Sequence, residues 1–288
     1  MTGTPKLGPV MMGTLLCRDL ETCIRAYEAA FHWNCQRRAR VSEAQARFWG
    51  LPDLAGADYA LLVNALGEPV LRLIAHKACA EIDRLRHTGW LALEIVVQDV
   101  DRLAATLEGS AFEVLRPVAN LAVSDHIRAV QVRGPAGEIL YLTEIKADVP
   151  PFDLPRARCA VDRVFIPVLC THERAKTLSF YEDLASHKGL SFETKITVIN
   201  QAYGFNLDTQ HKVATLQLAG QSLIEIDEIP QARPLPGELI SGILMVSFLT
   251  ESLPKGHSQK DCPTGTKRST VLRGVSGELL ELVEIRHA

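Results

Sequence analysis

The chain has no surplus of either charge. Its 31 Lys and Arg stand interspersed among 34 Asp and Glu over 288 residues. A nucleic-acid binder needs a basic face to neutralise phosphates, so no nucleic-acid partner is expected. Long apolar runs are also missing, and the opening MTGTPKLGPVMMGTLLCRDL has one lysine and no signal-peptide core. No membrane partner is expected. The seven cysteines (17, 23, 35, 79, 159, 170 and 262) include no C-x-x-C pair and are odd in number. Neither a disulfide framework nor a cysteine zinc site is expected, and packed reduced thiols point to the cytoplasm. No G-x-G-x-x-G or G-x-x-x-x-G-K-S/T loop appears, which speaks against nucleotide-driven chemistry. His32, His76, His87, His172, His187 and His211 show neither H-x-x-x-H nor H-E-x-x-H spacing.

What is present is a repeat. RGPAGEILYLTEI (133–145) and RGVSGELLELVEI (273–285) match without gaps, with eight of thirteen positions identical. Each reads as a glycine turn followed by a strand. Upstream, LLCRDLETCIRAYEAAF (15–31) resembles VLCTHERAKTLSFYEDLA (168–185), a strand end, a turn and a helix reaching Tyr27 or Tyr181. Ile24, Tyr27 and Phe31 recur at helical spacing, so that helix buries one face.

A finer repeat of strand–helix–strands runs through roughly 8–76, 88–146, 161–229 and 240–286. The proline-rich KADVPPFDLPRARC (146–159) reads as an extended linker. Two halves follow, 1–147 and 158–288, each a pair of βαβββ modules. From Gly242 to Arg273 the fourth unit is thirteen residues shorter than the second from Gly89 to Arg133. Its ESLPKGHSQKDCPTGTKRST carries two prolines and two glycines, so its helix is expected to be short or absent. The fold class is α+β, with each half a bent, mostly antiparallel sheet and helices outside.

Four βαβββ units with D-L-E…YE helices and G-E-x-L-x-E-L-x-E strand ends resemble the vicinal oxygen chelate superfamily. Its members include glyoxalase I, bleomycin-resistance proteins, methylmalonyl-CoA epimerase and extradiol dioxygenases. The resemblance covers nearly the whole chain and identifies the fold more than the reaction. It implies cup-shaped sheets, a frequent homodimer, and a divalent metal held by His, Glu or Gln from the first and last strands of paired units.

Carried onto this sequence, those positions fall near Met12 and Arg72, near Ala92 and on Tyr141, on Arg163 and Glu225, and near Gly242–Ile243 and on Glu281. Guanidinium offers no lone pair, so no metal and no other cofactor is expected. The expected arrangement puts Arg163 in the metal's place, held by Glu225 or Glu281, where it can bind a ligand oxyanion. The alternative is a buried ion pair that only fixes the sheets. The extradiol signature fails as well. The family Tyr position holds Val271 and the His window Cys262, Pro263 and Thr264, with His257 too far upstream.

Further candidates are Tyr141 as acid or hydrogen-bond donor, against an ordinary core tyrosine. Glu94 shares a strand face with Ala92, so it is either a pocket residue or an exposed one. Arg72 can pair with Glu94 or hold an anionic ligand, and Asp125–His126 is either an acid–base pair or a turn beside a solvent-facing histidine. The leading functional expectation is a metal-independent enzyme acting on an oxygenated, aromatic or keto small molecule. Its chemistry is isomerase- or lyase-type proton transfer by Arg163, Glu225, Glu281 and Tyr141, with Arg72, Glu94 and His126 binding substrate. The alternatives are a non-catalytic binding protein and a metal-dependent dioxygenase- or glyoxalase-like enzyme using Glu225, Glu281 and His257.

Overall fold

The computed structural model describes residues 5–121, 124–254, 260–261 and 268–285. His257 and Cys262 lie outside the described residues. The four units are as follows. Unit one holds β1 (Leu7–Cys17), α1 (Leu20–Phe31), β2 (Asn34–Arg40), α2 (Glu43–Phe48), β3 (Asp58–Val63) and β4 (Pro69–Ala75). Unit two holds β5 (Gly89–Val97), α3 (Val100–Leu107), β6 (Glu113–Leu121), β7 (Ser124–Arg133) and β8 (Ile139–Ile145). Unit three holds β9 (Val161–Thr171), α4 (Arg174–Ala185), β10 (Leu190–Lys195), α5 (Thr197–Tyr203), β11 (Gln210–Leu218) and β12 (Ser222–Glu228). Unit four holds β13 (Gly242–Thr250), β14 (Lys260–Asp261), β15 (Arg268–Arg273) and β16 (Leu279–Glu284). Among the described residues no helix links β13 to β15.

The strands form two eight-stranded sheets, β14-β15-β16-β13-β1-β4-β3-β2 and β10-β11-β12-β9-β5-β8-β7-β6. This corrects the expectation that each half folds into its own sheet. Unit one pairs with unit four, and unit two with unit three. The joints are the antiparallel first strands, β1 against β13 and β5 against β9. These are apolar along nearly their whole length and buried on both faces, as central strands must be.

The duplicated motif ties the two units of each half together. Tyr27 on α1 donates its hydroxyl to Glu138, and Tyr181 on α4 donates to Glu278 Oε1 at 2.9 Å. Both glutamates come from the R-G-x-x-G-E turns, one unit further along the chain. The other oxygen of each accepts a turn amide, Ala136 N at 2.8 Å and Ser276 N at 2.9 Å. The first glycine of each motif makes room for this, since a Cβ on Gly134 or Gly274 would collide with the carboxylate folded over it. The second, Gly137 or Gly277, turns the chain at φ +80° or +82°, which favours glycine. Three of the eight identical positions, the two glycines and the glutamate, are thus accounted for by one hydrogen-bonded turn.

Aromatic packing backs this joint. Tyr27 stacks on Trp33 at 5.4 Å and meets Phe112 edge-on, while Trp33 Nε1 donates to Val161 O at 3.0 Å. Removing the Tyr181 hydroxyl leaves the Glu278 carboxyl buried with one donor fewer. Tyr181→Phe is expected to lower the unfolding free energy by about 1–3 kcal/mol, read by urea denaturation. A change within error would mean the hydroxyl adds nothing to that joint.

Candidate functional site

Strand register shows which residues meet inside each sheet's cup. In parallel pairs, partners share a face. The first and last strands of the four units bring together Thr14 with Arg72, Glu94 with Tyr141, Val168 with Glu225, and Ser247 with Glu281. Four first-strand positions therefore differ from the sequence expectation: Thr14 replaces Met12, Glu94 replaces Ala92, Val168 replaces Arg163 and Ser247 replaces Gly242–Ile243. Bulges along β1 and β5 shift the count, and a sequence alignment does not see them.

The cup of units one and four is closed. Arg72 and Glu281 form an ion pair at 2.9 Å, with side chains 2% and 0% exposed. Ser247 Oγ donates to Glu281 at 2.6 Å, and the Arg72 guanidinium lies 5.0 Å from the centre of the Trp49 ring. Burial pushes the Glu281 carboxyl up, but the Arg72 charge and the Ser247 hydroxyl outweigh it and hold the group below its ordinary range. Around the pair pack Leu16, Trp49, Leu54, Ile74 and Met245. A cation held by a carboxylate across the cup is the arrangement expected of Arg163, but the arginine is Arg72. Arg72 consequently meets Glu281 and not Glu94, which belongs to the other sheet.

Arg163 joins neither cup. It sits near the start of β9, before the bulge that precedes Ile166, and donates to Gly220 O at 2.9 Å. The expected contacts of Arg163 with Glu225 and Glu281 are corrected accordingly. His126 is exposed on β7, next to Ile127, which faces the core. Strand alternation thus turns His126 to solvent.

The cup of units two and three is open and acidic. A cavity of about 210 Å³ is walled by Glu94, Tyr141, Glu225, Gln131, Phe192 and Arg116, among others. Glu94 is buried in β5 and accepts from Thr143 Oγ1 at 2.6 Å. Burial and the neighbouring Glu225 push its carboxyl up to about 8, against the Thr143 bond. Burial pushes Glu225 up to about 7, tempered by the neighbouring Asp227. Asp227 is raised well above the carboxylate range by burial and by Glu225. Three carboxyls without a cation among them share protons rather than carry three charges. Two hydroxyls of this face, Tyr141 Oη and Thr215 Oγ1, are buried with no partner. Sequence reasoning found Glu94, Tyr141 and Glu225 but missed Asp227 and Thr215. Asp227 follows Glu225 by two residues in a strand, and that spacing was the available signal.

The metal implied by the fold does not fit these residues. One cup puts a guanidinium at its centre, and the other offers Val168 and a tyrosine beside two glutamates. Among the described residues no three His, Cys, Asp or Glu side chains are grouped to hold a metal ion. A larger groove of about 590 Å³ lies outside the cups, but its charges are spent on one another, Arg18 with Glu81 at 3.0 Å and Arg133 with Asp83 at 3.7 Å.

The cups predict opposite behaviour. Arg72→Met strands Glu281 and is expected to destabilise by about 3–5 kcal/mol. Adding Glu281→Leu should recover most of that, by urea denaturation of both variants; a double mutant no better than the single one would contradict the pairing. In the open cup, Glu94 is protonated in both folded and unfolded states below about pH 4.5. Above that the unfolded chain loses the proton while the folded state keeps it, so stability falls with rising pH until about 8. Glu94→Gln should therefore raise Tm at pH 8 and leave it unchanged near pH 4. Equal Tm differences at both values would show that Glu94 is not held protonated.

No protein-family model matches the sequence, and no curated protein matches it. Solved structures do match. Glyoxalase I from Zea mays (the E144Q mutant) superposes with a TM-score of 0.66 at 14% identity, covering 97% of this chain and 94% of that one. Another glyoxalase I structure from Zea mays gives 0.64 at 15% identity, covering 96% and 92%. A putative dioxygenase from Bacillus subtilis gives 0.64 at 10%, covering 98% and 86%. At these identities the likeness shows the fold alone, and this chain shares the fold of those glyoxalase I and dioxygenase structures.

Proposed function

We propose that the cup of units two and three binds an oxygenated small molecule and moves a proton on it. The observation that carries this is the carboxyl cluster. Glu225 at about 7 and Glu94 at about 8 both line one cavity, beside the free hydroxyl of Tyr141. Carboxyls of ordinary pKa are poor bases and are already ionised at neutral pH, whereas these are poised to take up and release protons there.

Their roles follow from the split. Ionised Glu225 takes a proton from a carbon next to a carbonyl, and Asp227, beside it, shares the proton gained. The electron pair left on carbon moves onto the carbonyl oxygen, which accepts a hydrogen bond from Tyr141. Protonated Glu94 returns a proton to carbon, and the sum is an isomerisation with no net loss of atoms or electrons. An oxygenated ligand is favoured because Tyr141 and protonated Glu94, both on the cavity wall, offer donors to it. Thr215 lies opposite Glu225 on β11. Both walls of the cavity come from one chain, so this reading does not depend on the expected homodimer. Six free cysteines among the described residues support the cytoplasm as the compartment, and no helix there is long and apolar enough to cross a membrane.

The test is carbon-bound proton exchange. The protein would be incubated in D₂O with a panel of 2-oxo acids, hydroxyketones and phenolic ketones, and C–H signals followed by NMR. At least one compound should exchange, with a rate that rises through about pH 7 and falls through about 8. Glu225→Gln should slow it by about 10²-fold or more. Saturable binding without exchange would make the chain a sequestering protein. Exchange that disappears on dialysis against a chelator would return the chemistry to a metal.

A further inference from the structure

A second charged group stands apart from both cups. Arg84 lies in the short 3₁₀ turn Arg84–Arg86, on the crossover between units one and two. Its residue is 2% exposed. Only Nη2 is bonded, to Ile243 O at 2.8 Å, while Nε and Nη1 are buried without partners. Among the described residues no carboxylate pairs with it, and burial alone lowers its pKa, to about 10. It therefore remains a cation at neutral pH, sealed from water. Burying an unpaired charge costs several kcal/mol, so such a group normally has a counter-charge.

A small cleft adjoins it. Arg84, Trp90, Leu235, Ile240, Leu279 and Arg273 wall this space of about 30 Å³, room for one small sphere. The two carboxylates nearby are committed. Glu238 pairs with Arg273 at 2.6 Å at the exposed mouth, and Glu278 accepts from Tyr181 and Ser276. The Trp90 indole is used as well, donating to Leu279 O at 2.8 Å.

The duplication provides an internal control. Gly242 and Gly89 begin the central strands β13 and β5 with φ +95° and +93°. A Cβ on Gly242 would lie 3.6 Å from Arg84 Nε, and one on Gly89 3.3 Å from Leu235 Cδ1. The fold thus accepts an apolar side chain against the glycine of the other central strand, and nothing in its shape demands a guanidinium against Gly242. A water molecule can fill the cleft but cannot neutralise the charge.

We infer that the cleft beside Arg84 is a binding site for one monatomic anion, chloride in physiological salt, held by the Arg84 guanidinium beneath the Arg273–Glu238 pair. The site is independent of the proton-transfer reading, and its test does not involve activity. Crystals of the full chain grown in about 0.15 M sodium bromide would be measured at the bromine absorption edge. One anomalous peak in hydrogen-bond contact with the Arg84 guanidinium is the expected result. Water density there with no anomalous signal overturns the site. In solution, Tm should be about 2–4 °C higher in chloride than in gluconate of equal ionic strength. Arg84→Met should erase that difference; if the variant retains it, the anion acts elsewhere and the site is wrong. Should Arg84→Met fail to fold, the bromide measurement on the unaltered chain still decides.

Discussion

The antiparallel joints between β1 and β13 and between β5 and β9 set the positions of everything else in the molecule. Each joins a unit of one half to a unit of the other, so neither half owns a complete sheet. The halves are tied internally by a different device, the tyrosine–glutamate bonds from α1 to the Glu138 turn and from α4 to the Glu278 turn. Sheets run across the halves and hydrogen-bonded turns run within them. The result is a closed arrangement in which every unit is bound to two others. The cups form where the sheets curve, at the joints, and each floor is drawn from both halves of the chain.

The two cups began as copies and now have opposite electrostatics. In one, Arg72 and Glu281 neutralise each other beneath Trp49, and an apolar shell closes over them. The pair is charge-neutral and holds its sheet positions, although Arg72 Nη1, Glu281 Oε1 and Thr14 Oγ1 are buried without hydrogen-bond partners among the described residues. In the other, Glu94 and Glu225 line a cavity and Asp227 lies beside Glu225. Among the described residues none of the three is paired with a cation, since Arg116 bonds Gln201 and Lys195 pairs with Asp208. Desolvation and mutual repulsion then outweigh the few hydrogen bonds available, and the carboxyls hold protons into the neutral range. The same strand positions thus yield a strut on one side and a proton reservoir on the other.

Much of the fold was legible because it repeats. R-G-x-x-G-E occurs twice for a reason visible in the structure: the glycines accommodate a glutamate that folds back to meet a tyrosine a unit earlier. The site was legible in part. Tyr141 and Glu225 lie on last strands, which the R-G-x-x-G-E turn or the short β11–β12 hairpin anchors in the count. First strands have no such anchor, and bulges moved the cup position from Ala92 to Glu94 and from Arg163 to Val168. Arg163 looked like a metal substitute because it shares a strand with the cup. It falls short of the floor, and Arg72, on the far side of the duplication, fills the role instead.

The sequence by itself determined the number of units, their βαβββ order, the two glutamate turns and the charge types available to a site. These are local properties, written in strand and helix periodicity and in turn chemistry, and they survive without knowledge of neighbours. Only the tertiary structure decided which units share a sheet, which arginine meets which glutamate, and which cup stays open. Strand pairing between residues more than two hundred apart leaves no periodic trace in the chain. A carboxyl's proton affinity depends on what surrounds it, so Glu281 and Glu225, alike in sequence setting, end as a neutralised anion and a proton carrier.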